Sequence, residues 1–139
     1  MAFFRCFILT ALMCVFVAGN IVMADPVGKT NKAVQEIADP VLDGILQAFK
    51  TGDYDLYSKD FDDTLKDAIS EEKFKQVREQ INGSMGTCES RKYLGFLTRG
   101  RMTEILWKGR FTKTPDDVLI KLIMSKRGDK YLVASLWFQ

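Results

Sequence analysis

Two different spacings of apolar residues divide the chain into two halves. Between residues 31 and 81, apolar side chains recur at intervals of three and four, which is the period of an α-helix. From Cys88 onward they alternate with polar side chains, which is the period of a β-strand. Helices followed by strands predict an α+β domain, with the helices packed on one face of a curved antiparallel sheet.

The first helix is predicted from about Asn31 to Lys50. Its apolar stripe consists of Val34, Ile37, Val41, Leu42, Ile45, Leu46 and Phe49. Pro40 lies inside the stripe and predicts either a kink or a fresh helix start, with Asp39 as its N-cap. Gly52 is suited to end the helix in the left-handed conformation.

Shorter helices follow the first. Asp53 is the expected cap of a short segment on which Tyr54, Tyr57 and Phe61 share one helical face. The pattern continues weakly over residues 62–69. Ser70 is the expected cap of another helix over residues 71–81, because two acidic residues follow it where the helix dipole favours negative charge.

Four strands are predicted over residues 91–98, 101–112, 117–125 and 130–138. Short turn sequences separate them, which favours antiparallel hairpins. In the second strand, one face carries Thr103, Ile105, Trp107, Gly109 and Phe111. The opposite faces of the two middle strands are half apolar and carry Met102, Leu106, Leu119 and Ile123.

Residues 1–24 have the layout of a secretory signal peptide. An apolar stretch of 14 residues, Cys6 to Gly19, follows the positively charged Arg5. Val22 and Ala24 stand at the −3 and −1 positions of a small-residue cleavage site. We therefore expect cleavage near Ala24-Asp25 and export to the periplasm or the medium. The apolar run is shorter than the ~20 residues that a membrane span needs, so no membrane association is expected after cleavage. A flexible leader over residues 25–30 and a domain over residues 31–139 complete the predicted organisation.

The composition excludes several kinds of chemistry. The sequence contains no His, which removes Ser-His-Asp and Cys-His catalysis and histidine-ligated metals. No phosphate-binding motif or calcium loop is present, and we predict no metal and no cofactor. Carboxylates are the remaining general acids and bases, and Asp62 is the candidate with an apolar neighbour. Cys88 is the one cysteine that remains after signal removal, so no internal disulfide is expected.

The charge is distributed unevenly along the chain. Residues 25–87 carry 8 basic and 13 acidic side chains, whereas residues 88–139 carry 11 basic and 5 acidic ones. Acidic helices beside a basic sheet explain this division without any ligand. Nucleic-acid binding would need a stronger basic excess interleaved with exposed aromatic residues, and it is not predicted.

The order of elements resembles the cystatin-like cone of the nuclear-transport-factor-2-like superfamily. Three segments carry the resemblance: AFKTGDY at the end of the first helix, YSKDFDDTLK over residues 57–66, and the strands ILWKGRF, VLIKLIM and LVASLWF. The sequence is most similar to small exported members of that superfamily whose function is unassigned. The resemblance implies a cavity between the sheet and the helices, and it implies frequent dimerisation through the outer sheet face. Catalytic members often place an Asp-His pair in the cavity, which this sequence cannot match.

The predicted function is that of an exported, non-catalytic domain that binds a small, mainly apolar ligand or serves an accessory role. The candidate ligand-binding residues are Tyr54, Tyr57, Phe61, Trp107 and Trp137, which would line one cavity in a cone fold. Plain core packing is the alternative interpretation of these aromatic residues. Two other functions stay open: a homodimeric interaction domain that uses the outer sheet face, and a carboxylate-based lyase or isomerase.

Overall fold

The computed structural model describes residues 21–139. Nearly all of the predicted signal peptide lies outside these residues. Four helices come first: α1 (Asn31–Thr51), α2 (Tyr54–Ser58), α3 (Asp63–Ala68) and α4 (Glu71–Ser84). Four strands follow: β1 (Cys88–Arg99), β2 (Met102–Phe111), β3 (Val118–Arg127) and β4 (Lys130–Phe138). The strands form one antiparallel sheet in the order β1-β2-β3-β4. The predicted α+β class is thereby confirmed.

Helix α1 runs without interruption through Pro40. It begins where the Thr30 hydroxyl accepts a hydrogen bond from the Ala33 amide, and it ends at Gly52, whose φ is 73°. The predicted fresh start with Asp39 as N-cap is wrong. Pro40 faces solvent, so water can solvate the helix carbonyl that loses its N–H partner. The Asp39 side chain bonds to the sheet instead of capping a helix.

Each of the three shorter helices begins at a side-chain cap. Asp53 accepts from the Leu56 amide, Asp62 from the Leu65 amide, and Ser70 from the Lys73 amide, at 2.8 to 3.2 Å. The caps at Asp53 and Ser70 confirm two predicted helix starts. The weak pattern over residues 62–69 is a separate helix, α3, because Asp62 starts a new hydrogen-bonded turn.

The inner face of the sheet and the apolar stripes of the helices form a single core. On β2 and β3 the predicted alternation is confirmed, because the following side chains are all buried: Thr103, Ile105, Trp107, Phe111, Val118, Ile120, Leu122 and Met124. Arg78 fastens α4 to the end of α1, where its guanidinium donates to the carbonyls of Phe49 and Lys50 at 2.7 and 3.0 Å. No helix within residues 21–139 is both long and apolar enough to cross a bilayer.

Both edge strands contain a β-bulge. In β1 the register jumps between Tyr93, opposite Trp107, and Gly95, opposite Leu106, which leaves Leu94 as the extra residue. In β4 the register slips at Ala134. Bulges bend a strand and increase its twist, so they help the sheet to curve around the helices.

The segment that precedes α1 is attached to the sheet. Asp25 exchanges two backbone hydrogen bonds with Lys126, at 2.8 and 2.7 Å. Val27 is buried, and its amide donates to the Thr103 hydroxyl at 2.9 Å. The first residues after the expected cleavage site thus extend the fold beyond the predicted start of the domain at residue 31.

Candidate functional site

Three of the five predicted site residues lie in one aromatic cluster. Tyr57 makes edge contact with Phe61 at 4.8 Å between ring centroids and stacks on Phe74 at 4.4 Å. Tyr54 lies 5.9 Å from the same Phe74 ring. This cluster joins α2 and α4 to the end of α1, because Phe49 also contacts Tyr57.

Trp107 lies in a different part of the core. It is fully buried on β2, where its ring contacts Tyr93 of β1 at 6.1 Å. Its indole N–H donates to the Asp39 carboxylate of α1 at 2.9 Å. The structure therefore places Trp107 beside α1 and β1, whereas Tyr57 and Phe61 pack with Phe74 of α4.

Asp39 is the centre of a polar network that the sequence did not indicate. One of its carboxylate oxygens accepts from Trp107 and from Arg91, both at 2.9 Å. The other oxygen accepts from Gln35 at 3.0 Å. Arg91 also donates to Asp43 at 2.7 Å. With both oxygens occupied by protein donors, this carboxylate holds α1 against the sheet and has little capacity left for a substrate.

Trp137, the fifth predicted residue, is 52% exposed on β4. The Lys121 ammonium lies 5.9 Å from the centroid of its ring. Because the strand partner of Trp137 is Lys121, whose neighbours Ile120 and Leu122 face the core, the ring belongs to the outer sheet face.

The space between the helices and the sheet is almost completely filled. An enclosed void of only ≈ 10 Å³ lies next to Phe49, Phe111 and Phe138, which is room for about one water molecule. A larger space opens at the edge of the core, between α4 and β4, with a volume of ≈ 360 Å³. We call it the α4–β4 groove; its lining residues are Phe49, Tyr57, Val77, Gln80, Ile81, Ser84, Met85, Leu136, Trp137 and Phe138. Two of the five predicted residues, Tyr57 and Trp137, line this groove.

Tyr57 combines deep burial with an unusual hydroxyl. Only 3% of the residue is exposed, and within residues 21–139 its hydroxyl forms no side-chain or backbone hydrogen bond, in contrast to the Tyr54 hydroxyl, which donates to the Ile69 carbonyl. The Tyr57 oxygen is nevertheless not one of the fully buried unpaired atoms of these residues. Desolvation, assisted by the nearby Tyr54, raises the pKa of Tyr57 to about 12. The phenol therefore stays protonated, as a hydrogen-bond donor, across the physiological range.

The raised pKa predicts that stability falls at alkaline pH. Unfolded tyrosine ionises near pH 10, while folded Tyr57 stays neutral up to about pH 12. The unfolded state is therefore favoured as pH rises between these values. Urea unfolding from pH 9 to 11 should show the loss for the wild type and a smaller loss for Tyr57→Phe. Tyr131→Phe, at a half-exposed ring on β4, should behave like the wild type. An identical pH dependence in Tyr57→Phe would refute the assignment.

The outer face of the sheet carries exposed apolar side chains. No helix among residues 21–139 covers it. Three of its large side chains are exposed: Leu94 at 52%, Leu97 at 45% and Trp137 at 52%. The half-buried members are Met102, Leu106, Leu119 and Ile123. We call this set the outer sheet patch. Leu94 and Leu97 were not assigned to this face from the sequence. The signal was Gly95, because an isolated glycine in a strand often marks a bulge, which changes the face on which neighbouring side chains lie.

Two ion-pair clusters lie on the outer sheet face, and one of them interrupts the outer sheet patch, because Lys121 is the strand partner of both Leu106 and Trp137. Glu104 lies between Arg99 and Lys121, at 2.9 and 3.7 Å. Asp117 lies between Lys108 and Arg110, at 3.4 and 3.1 Å. The hydrogen bond from Arg110, with the charge of Lys108, lowers the pKa of the Asp117 carboxyl despite some desolvation. Each acid is thus shared by two bases, which leaves both clusters with a net positive charge.

Neither a metal site nor a carboxylate catalyst is evident in the part of the chain that the structure describes. No three His, Cys, Asp or Glu side chains among residues 21–139 are grouped to hold a metal ion. Asp62, the candidate general acid, is buried, but its carboxylate caps α3 at 2.8 Å from the Leu65 amide. Cys88 is half-buried, and this burial raises the pKa of its thiol, which makes it a weaker nucleophile at neutral pH.

The comparisons with known proteins found structural similarity and no significant sequence similarity. No protein-family model matches the chain, and no curated protein matches it significantly. Among solved structures, Bd1075 of Bdellovibrio bacteriovorus is similar, with a TM-score of 0.47 and 13% sequence identity. The similarity covers 77% of this chain and 40% of the Bdellovibrio chain.

Proposed function

We propose that the protein is an exported, non-catalytic interaction domain that forms a homodimer through its outer sheet patch. We also propose that it belongs to the nuclear-transport-factor-2-like superfamily. A long first helix that contains Pro40 is followed by short helices and a terminal antiparallel meander, which is the order that the resemblance implies. The observation that carries the function is the uncovered sheet face with three large exposed side chains, Leu94, Leu97 and Trp137.

The extent of the patch favours a broad partner. Its apolar side chains come from all four strands, from Leu97 on β1 to Trp137 on β4. A peptide or a single helix would cover only part of this width, whereas a second sheet face would cover all of it, because sheets pack face to face about 10 Å apart. The outer sheet patch of a second copy is such a face.

The ion-pair clusters make this association feasible. In each cluster one acid neutralises part of the charge of two bases, which reduces the repulsion between the clusters of two copies. The proposed interface would thus combine apolar side chains with partly neutralised charges on one face. The excess positive charge of the clusters predicts that salt strengthens the dimer by screening.

Sedimentation velocity over a range of micromolar concentrations tests the proposal. The wild type should sediment as a dimer, and Leu106→Glu should sediment as a monomer because it places a carboxylate in the centre of the patch. Lys121 is the strand partner of Leu106 on β3, so the new carboxylate gains a salt-bridge partner and the monomer should stay folded.

A matched substitution on the helical side serves as the control. Gln76→Glu introduces the same side chain on the exposed face of α4 and should leave the dimer intact. Circular dichroism would show that all three proteins are folded. A wild type that stays monomeric at the highest concentration, or equal dissociation of both variants, would contradict the proposal.

A further inference from the structure

We infer that the α4–β4 groove binds a small uncharged ligand that carries a flat apolar ring and a hydrogen-bond acceptor. This inference does not require the protein to dimerise, although Trp137 belongs both to the groove and to the outer sheet patch. It rests on the Tyr57 hydroxyl, on the exposed Trp137 ring, and on the charge of the groove.

The Tyr57 hydroxyl supplies a donor without a protein acceptor. The tyrosine is 97% shielded from solvent yet lines the groove. Its ring is fixed by contacts with Phe49, Phe61 and Phe74, so the hydroxyl cannot move to find another partner. The hydroxyl is not one of the fully buried unpaired polar atoms of residues 21–139, so it reaches the groove, where an acceptor on a bound ligand can take the place of water. The pKa of about 12 keeps the proton available.

Trp137, another lining residue of the groove, supplies an exposed flat surface. It is 52% exposed, while the neighbouring Phe138 contacts Phe49 in the core at 5.7 Å. Large aromatic rings at the edge of a pocket provide stacking area for a second ring. The donor of Tyr57 and the ring of Trp137 therefore define a ligand with two features, an acceptor and an apolar face.

The remaining lining residues indicate a neutral ligand. None of the ten side chains that line the groove is acidic or basic. A charged ligand would lose hydration without gaining a counter-charge. The volume of ≈ 360 Å³ is near the lower end of the range for small-molecule sites, which suits a single substituted ring.

Titration with benzamide, followed by NMR of the two indole N–H signals, tests the inference. Benzamide is neutral, aromatic and carries a carbonyl acceptor. The Trp137 signal should shift saturably, while the signal of Trp107, which is bonded to Asp39, should stay in place. Toluene, which lacks the acceptor, and benzoate, which is charged, should both bind more weakly.

Two hydroxyl deletions provide a matched comparison. Tyr57→Phe removes the groove donor and should weaken benzamide binding about fivefold, the effect of one hydrogen bond. Tyr54→Phe removes a hydroxyl that donates to Ile69 outside the lining of the groove and should leave affinity unchanged. Equal affinity of Tyr57→Phe and the wild type, or an unchanged Trp137 signal, would overturn the inference.

The same titration on Leu106→Glu separates this inference from the proposed dimer. The groove is lined by residues of a single chain, and Trp137 stays uncovered in the monomeric variant, so this variant should bind benzamide at least as tightly as the wild type does. Binding without dimerisation would support the groove alone, and dimerisation without a Trp137 response would support the outer sheet patch alone.

Discussion

Replacing Trp107 with alanine is expected to lower the free energy of unfolding by about 3–5 kcal/mol. The residue is fully buried, so its removal leaves a cavity between α1 and the sheet. The substitution also deletes the hydrogen bond from the indole to Asp39. Urea unfolding monitored by circular dichroism would measure the change, because this signal does not depend on the fluorescence of the deleted tryptophan.

Trp137→Ala is the matched control for this experiment. It removes the same side chain from the same sheet, but from a position that is 52% exposed. We expect a loss of less than about 1 kcal/mol, since an exposed ring leaves little cavity. Equal losses for the two variants would mean that Trp107 is not the packed centre of the core.

Asp39→Ala is expected to cost about 2–3 kcal/mol. The substitution leaves the buried indole N–H of Trp107 without an acceptor and removes one of the two acids that hold Arg91. Asp39→Asn should cost less, because its amide oxygen still accepts from Trp107. Thermal unfolding of both variants would establish the order.

Asp43→Ala provides the comparison for Asp39. Asp43 binds the same guanidinium, but its side chain is 62% exposed, and exposed ion pairs contribute at most about 1 kcal/mol. If Asp43→Ala destabilised the protein as much as Asp39→Ala, Asp39 would stabilise the fold only by neutralising the charge of Arg91. The smaller loss that we expect for Asp43→Ala would instead assign most of the effect of Asp39 to its bond with the buried indole N–H of Trp107.

The local features of the fold could be predicted from the sequence, because residues near each other in the chain determine them. The caps at Asp53 and Ser70 bind amides three residues away. The alternation in β2 and β3 gave the buried face of the sheet correctly, including Trp107. Pro40 misled the prediction, because its tolerance within α1 depends on its exposure to solvent.

Features that depend on distant parts of the chain could not be predicted. The bond from Trp107 to Asp39 joins residues that are 68 positions apart, and the attachment of Asp25 to Lys126 joins the segment before α1 to β3, the seventh of the eight elements. Nothing in the residue pattern of 25–30 indicates these contacts. Of the five predicted site residues, Tyr57 and Trp137 line the α4–β4 groove, whereas packing places Trp107 beside α1 and β1.

The order of the elements along the chain also constrains how the protein can be made. Strands β1 and β2, which contact α1 through Arg91 and Trp107, are synthesised after it, and Arg91 meets Asp39 only when 52 further residues have been added. During synthesis the helices therefore emerge with part of their apolar faces uncovered, and folding waits for the β1–β4 meander. Until the meander is complete, these exposed faces make the nascent chain prone to aggregation.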